Sequence, residues 1–202
     1  MTTEISICNL ALAHLGDEAT VASIDPPEGS AQATHCATFY PIARDALQEI
    51  HNWSFCTTRK ALSLLVAEPL IGWEYAYTRP STAVKIVGIF QDGSTDDNDP
   101  QPFETEALND GTEVIYTNVE DAVCRYTFQV TDPSKFSPLF VETLAWLLAS
   151  HLAGPLLKGK VGREAAKSCL ATAGTYLAQA KGSDARQRRV APTHSVPWIS
   201  NR

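Results

Sequence analysis

Apolar residues recur along this chain with two different periods, and the changes between them divide it into three stretches. In the first, Ile5, Cys8, Leu12 and Leu15 step by three or four residues, which predicts a short helix over residues 3–15 with one apolar face. Thr2 or Thr3 caps its start, Glu4 suits the positive end of the helix, and Gly16 suits its exit. Asp25-Pro26-Pro27 marks a loop. Ser30 caps a second helix running to about His51, in which Cys36, Tyr40, Ala43, Leu47 and Ile50 form a buried stripe. Pro41 lies inside that stripe. Its missing N–H and its ring predict a kink or a break there.

After Trp53 the period shortens. Residues 55–64, rich in Thr, predict a short strand, and Trp73, Tyr75 and Tyr77 share one face of another. Residues 83–90 predict a third strand, with Val84 and Ile86 on one side and Val87 and Ile89 on the other. Residues 113–117 and 122–130 predict two more, joined near residues 118–121, so this middle stretch makes an antiparallel sheet. Between them, residues 92–110 are dense in Asp, Asn, Gly and Pro and predict a long solvated loop or hairpin tip.

Helical spacing returns at Asp132, an N-cap with Pro133 in the first turn. Residues 139–157 are apolar on nearly all sides, so that helix needs cover from several neighbours, and Trp146 is expected inside. Gly154-Pro155 ends or bends it. A last helix over about residues 162–181 turns Ala166, Leu170, Ala173, Leu177 and Ala180 inward. From Gly182 the pattern stops, and residues 183–202 cannot build a core of their own. The expected fold is α+β. N- and C-terminal helices (residues 3–53 and 133–181) form a helical bundle with an inserted antiparallel β-sheet region (residues 54–131). Together they make one body over residues 1–182, and residues 183–202 form an extended C-terminal tail.

Charge adds contrast to that outline. The net charge is −7, and residues 92–110 alone hold seven acids (Asp92, Asp96, Asp97, Asp99, Glu104, Glu106 and Asp110) without a Lys or Arg. Residues 181–202 carry five basic residues against one acid. The chain thus has an acidic loop and a basic tail. Only 19% of the residues are charged, which suits a subunit whose neighbours cover much of its surface.

Candidate chemistry is sparse. The five cysteines (Cys8, Cys36, Cys56, Cys124 and Cys169) are odd in number and never paired as C-x-x-C, which speaks against a disulfide framework and a zinc site. With no leader pattern and no apolar run near 20 residues, the chain reads as soluble, made in a reducing cytosol, and free of membrane. The glycines and lysines from Gly154 to Lys160 lack the order of a phosphate loop. The histidines form no metal or catalytic motif, although His51 near Cys56 admits a thiol–imidazole pair. The acids after Asp92 lack the spacing of a calcium loop. Neither metal nor cofactor is expected. A cytosolic enzyme using Cys56 or Cys36 stays open as an alternative. So does a small nucleic-acid-binding regulator using the basic tail, although four or five charges give only a weak phosphate attraction.

Several segments, in order, resemble the phage head-to-tail adaptor (tail tubular protein A-like) family. Ile7-Cys-Asn-Leu-Ala-Leu-Ala-His-Leu-Gly16 resembles its opening helix. Residues 33–47, with Cys36, Tyr40-Pro41 and Arg44-Asp45, resemble its second helix. His51-Asn-Trp-Ser-Phe-Cys-Thr57 resembles its Trp-x-Phe-Ala turn, with Cys56 in place of Ala. Trp73-Glu-Tyr-Ala-Tyr77 followed by Arg79-Pro80 resembles its aromatic strand, although Arg79-Pro80-Ser81-Thr82 departs from the usual Leu-Pro-x-Asp. Residues 126–140 resemble the segment entering its long helix. The match spans about residues 5–182.

The resemblance implies a non-enzymatic subunit of a homo-oligomeric ring, commonly twelve-fold, made in the host bacterial cytoplasm and placed at the virion head–tail junction. It implies a portal protein on one side, a tail nozzle or tube protein on the other, and DNA passing without sequence-specific binding. The tail is then expected to bind the portal through Arg186, Arg188, Arg189, Val196, Pro197, Trp198 and Ile199. The acidic loop, with Asp92, Asp96, Asp97, Asp99, Glu104 and Glu106, is expected to meet the tail component or a neighbouring subunit.

Overall fold

A computed structural model of the chain describes residues 2–65, 69, 72–93 and 99–187. It has the α+β composition expected, and divides into two compact units. One is helical (Met1–Phe55 with Gln129–Arg186) and the other is built on the strands of Cys56–Phe128.

In the helical unit, α1 (Glu4–His14) starts at Thr3, whose hydroxyl accepts from the Ser6 N–H while the Thr3 N–H donates to Ser6 Oγ. This reciprocal cap fixes the helix start. The buried face is Ile7, Cys8, Ala11 and Leu12, rotated from the predicted one, so Ile5 and Leu15 are only partly covered. The Asn9 amide holds the following loop by donating to Val21 O and accepting from Val21 N–H, at 3.0 and 2.7 Å.

Helix α2 (Ala31–Ile50), capped by Ser30, buries Cys36, Tyr40, Ala43 and Leu47 as predicted, while Ile50 ends up exposed. The break considered at Pro41 does not occur. Residues are buried both before (Ala33, Cys36, Tyr40) and after (Ala43, Leu47) the proline, α2 packs on α3 (Pro138–Leu157), and that burial outweighs the lost donor.

Asp132 and Pro133 open only a 3-10 turn, Pro133–Lys135. The cap of α3 is Ser137, whose hydroxyl accepts from the Phe140 N–H. Helix α3 packs against α1, α2 and α4 (Gly159–Ala185), burying Phe140, Leu144, Ala145, Leu148, Ala149, Leu152 and Ala153. It passes through Gly154-Pro155 and ends at Leu157. Contrary to the sequence expectation, α3 is long and apolar enough to span a membrane, though three helices take up its buried face. Trp146 is only half-buried, stacked on His14 at 3.8 Å between ring centroids, because the α1 end covers one face of the indole.

Lys158 and Gly159, both at positive φ, reverse the chain into α4. The α3–α4 contact is close: a Cβ on Gly162 would lie 2.8 Å from the Ala153 carbonyl oxygen. The α4 residues that face inward are therefore small (Gly162, Cys169, Ala173 and Ala180), and Leu170, expected inside, is turned out at 56% exposure. The helix runs four residues beyond its predicted end at 181, to Ala185, so the tail begins later than expected.

The second unit holds β1 (Thr57–Ala61), β2 (Ser63–Leu64), β3 (Tyr75–Thr78), β4 (Ala83–Gln91), β5 (Phe103–Ala107), β6 (Glu113–Thr117) and β7 (Ala122–Phe128). These form two antiparallel sheets, ordered β1-β7-β4 and β2-β3-β6-β5, where one sheet was expected. The link at residues 118–121 is therefore a crossing between sheets. Tyr77 and Ile115 from one sheet meet Ala83, Ile89, Ala122, Cys124 and Tyr126 from the other to form the core. Register shifts between Ala83 and Lys85 and between Ile86 and Gly88 break the alternation predicted for β4. Ala83, Ile89 and Phe90 become its buried apolar residues, and Val84 stays exposed.

Candidate interaction surfaces

Two segments far apart in sequence are joined by aromatic packing. Trp53 is fully buried and its indole N–H donates to Leu47 O at 2.8 Å. Its ring meets Phe140 edge-on at 5.1 Å, Phe55 meets Phe140 at 5.0 Å, and Phe136 lies 4.8 Å from Phe140. Beside them the buried Gln48 amide donates to Val130 O and accepts from Val130 N–H, at 2.7 and 2.9 Å, fixing the chain where it leaves β7. Aromatic pairs at these separations add to the stabilisation given by their burial.

Asp184 is a site that the periodicity did not reveal. It is buried near the end of α4, accepting from Ser54 N–H at 2.9 Å and from Ser54 Oγ at 2.6 Å through Oδ1, while His51 Nε2 lies 3.1 Å from Oδ2. The carboxylate stands between serine and histidine, so the imidazole is not placed to take the serine proton, as a nucleophilic triad requires. The trio instead clamps α4 to the end of α2. The only sequence signal was an acid falling on the inward stripe of a helix, four residues after Ala180.

Of the acidic segment, Asp96 and Asp97 lie outside the described residues. Asp92 makes a turn, with Oδ1 accepting from the Gly93 N–H. Asp99 is exposed just before β5. The segment is not wholly a loop. Glu104 and Glu106 alternate on β5, paired in register with Tyr116 and Val114 of β6, because Phe103-Glu-Thr-Glu-Ala107 has a two-residue period that the surrounding Asp, Gly and Pro conceal. Glu104 accepts from the Trp73 indole N–H at 3.2 Å. Desolvation, and then the nearby Glu106, push the Tyr116 phenol up. Asp110 shapes the β5–β6 turn by accepting from Thr112 N–H, which holds its carboxyl below the usual range.

Arg186 is exposed at the C-cap of α4; Arg188, Arg189, Val196, Pro197, Trp198 and Ile199 lie outside the described residues. All five cysteines are buried. A hydrogen bond to Cys36 together with burial pushes the Cys8 thiol up, and burial holds Cys124 at about 12. Cys8 and Cys124 are therefore poor nucleophiles in the folded chain, whereas the hydrogen bond with Cys8 lowers Cys36 against the opposing effect of burial. His51 is engaged by Asp184. Among the described residues no three His, Cys, Asp or Glu side chains gather as a metal site. Compared with known proteins, the chain matches no family model and no curated protein.

Proposed function

We propose that this chain is a structural head-to-tail connector of a tailed phage, one subunit of a ring that joins the portal to the tail and extends the DNA channel. The observation that carries the reading is the meeting of Trp53 and Phe55 with Phe136 and Phe140. These residues come from two of the segments on which the family resemblance rests, and their contact gives both segments one structural purpose. The other segments fall on elements of matching type: the opening motif on α1, Tyr40-Pro41 on α2, and the aromatic motif on β3. Such a subunit acts by contact. It needs surfaces of distinct charge, and the acids around β5 and the bases from Arg186 onward supply two.

In this reading the tail holds the portal and the acidic segment meets the nozzle or a neighbouring subunit. Deleting residues 191–202 tests it: the truncated chain keeps its fold by circular dichroism and fails to join portal rings. Truncated protein that joins portals at wild-type affinity contradicts the assignment. The competing reading, a nucleic-acid-binding regulator, requires salt-dependent duplex binding by the isolated subunit.

A further inference from the structure

Two outward faces of the helical unit are uncovered in the single chain, and they are opposite in character. On α2, Ile42 and Ile50 are 55% and 50% exposed, and Ala46 lies between them at the same four-residue step. Residues so spaced form one line on a helix surface. Glu49 is exposed beside that line without an ion-pair partner among the described residues. The only Lys or Arg on α2, Arg44, is buried and held by Asp45 and Glu4. This face is apolar with a negative edge.

On α4, Leu170 is 56% exposed, followed on the same side by the exposed Gly174 and Ala178. No charged residue lies between Lys167 and Lys181. Lys167 and Arg163 are exposed one and two turns before Leu170, with no ion-pair partner among the described residues, whereas Lys160 is matched by Glu164 at 3.6 Å. This face is apolar and shallow with a positive edge. Single exposed apolar side chains are ordinary. A line of isoleucines, a second apolar face of small residues, and unmatched charges of opposite sign beside them are complementary features of one surface meeting another.

We propose that the α2 face of one copy docks on the α4 face of a second copy. Ile42 and Ile50 seat against the shallow stretch from Leu170 to Ala178, and Glu49 faces Arg163 and Lys167. Because the two faces differ, each copy offers one and accepts the other, which builds a head-to-tail series that closes into a ring when the rotation allows. The proposal rests on the ring reading above and names its subunit contact.

The test follows the mass of the full chain by sedimentation velocity and mass photometry over a concentration series, alone and with portal rings as template. Ile42→Glu and Leu170→Glu, each checked for retained helicity, are expected to weaken self-association by about tenfold or more. Glu49→Lys weakens it, as does Arg163→Glu with Lys167→Glu, and combining the three restores association. A wild-type oligomer indifferent to the Ile42 and Leu170 variants, or a charge swap without rescue, overturns this contact and leaves the ring reading standing. A wild-type chain that stays monomeric even with portal overturns both. Hydrogen exchange separates the remaining occupant: protection of α2 in the monomer that disappears when residues 188–202 are deleted makes the chain's own tail the cover, and overturns the proposal.

Discussion

Gly162→Ala probes the tightest helix contact. The added methyl would stand 2.8 Å from the Ala153 carbonyl oxygen and 3.5 Å from the Gly154 Cα. Both are backbone atoms of α3, so no flexible side chain can give way, and the helices must separate by a few tenths of an ångström along a face that buries Cys169, Ala173 and Ala180. Such overpacking costs roughly 1–3 kcal/mol. Replacing a helical glycine by alanine returns about 1 kcal/mol. The expected net loss is therefore about 1 kcal/mol. Gly182→Ala, on the same helix with nothing within 4 Å of the added Cβ, should gain about 0.5–1 kcal/mol. With a urea dependence of about 2 kcal/mol per molar, the two midpoints should differ by roughly 1 M. Far-UV circular dichroism at increasing urea reads the helical signal directly. A Gly162→Ala chain as stable as wild type, or more so, refutes the close approach of α3 and α4.

Asp184→Ala strands the Ser54 N–H and hydroxyl without their charged acceptor, and should cost about 2–3 kcal/mol in denaturant melts, against little for the exposed Asp99→Ala. Burial holds the imidazoles of His14 and His151 below the ordinary histidine value, with Glu142 pulling His14 the other way. The unfolded chain then takes up these protons first as pH falls, so their contribution to stability is complete above about pH 6.5 and is lost as pH drops through the folded values. Tm should fall from pH 7.5 to 5.5, and His14→Gln with His151→Gln should flatten that slope; an unchanged slope contradicts the assignment. Changing Asp96, Asp97 and Asp99 to Asn should leave ring formation intact and slow attachment of the tail component, most clearly at low salt. Attachment unchanged at every salt concentration rules out docking through these charges.

Local features were the most legible in the sequence. Ser30 and the stripe from Cys36 to Leu47 located α2, because cap and periodicity act within a few residues. The α+β order followed from where the period changed. Features set by distant partners were hidden. Ser54 and Asp184 lie 130 positions apart, and nothing near either one announces the other. Leu170 was placed inside because leucine is apolar. The helix spacing at Gly162 instead selected for size, and the cysteine and alanines took the inner positions. Alternation in residues 113–117 and 122–128 marked both strands, but it is the same whether two strands share a sheet or face each other across a core. In the acidic segment, charge density masked the two-residue period of β5. Of the candidate contact residues, Asp92 forms a turn and Asp99 is exposed just before β5, Glu104 and Glu106 lie on an edge strand, and Arg186 on a helix cap.

The central claim is that this chain works as a ring on a portal, and its mass in solution tests that most directly. Native mass spectrometry of the full chain, alone and mixed with purified portal rings, should give a single stoichiometric complex. In it, the number of added subunits matches the portal's own symmetry. A chain that leaves the portal mass unchanged at every ratio and ionic strength tried contradicts the account.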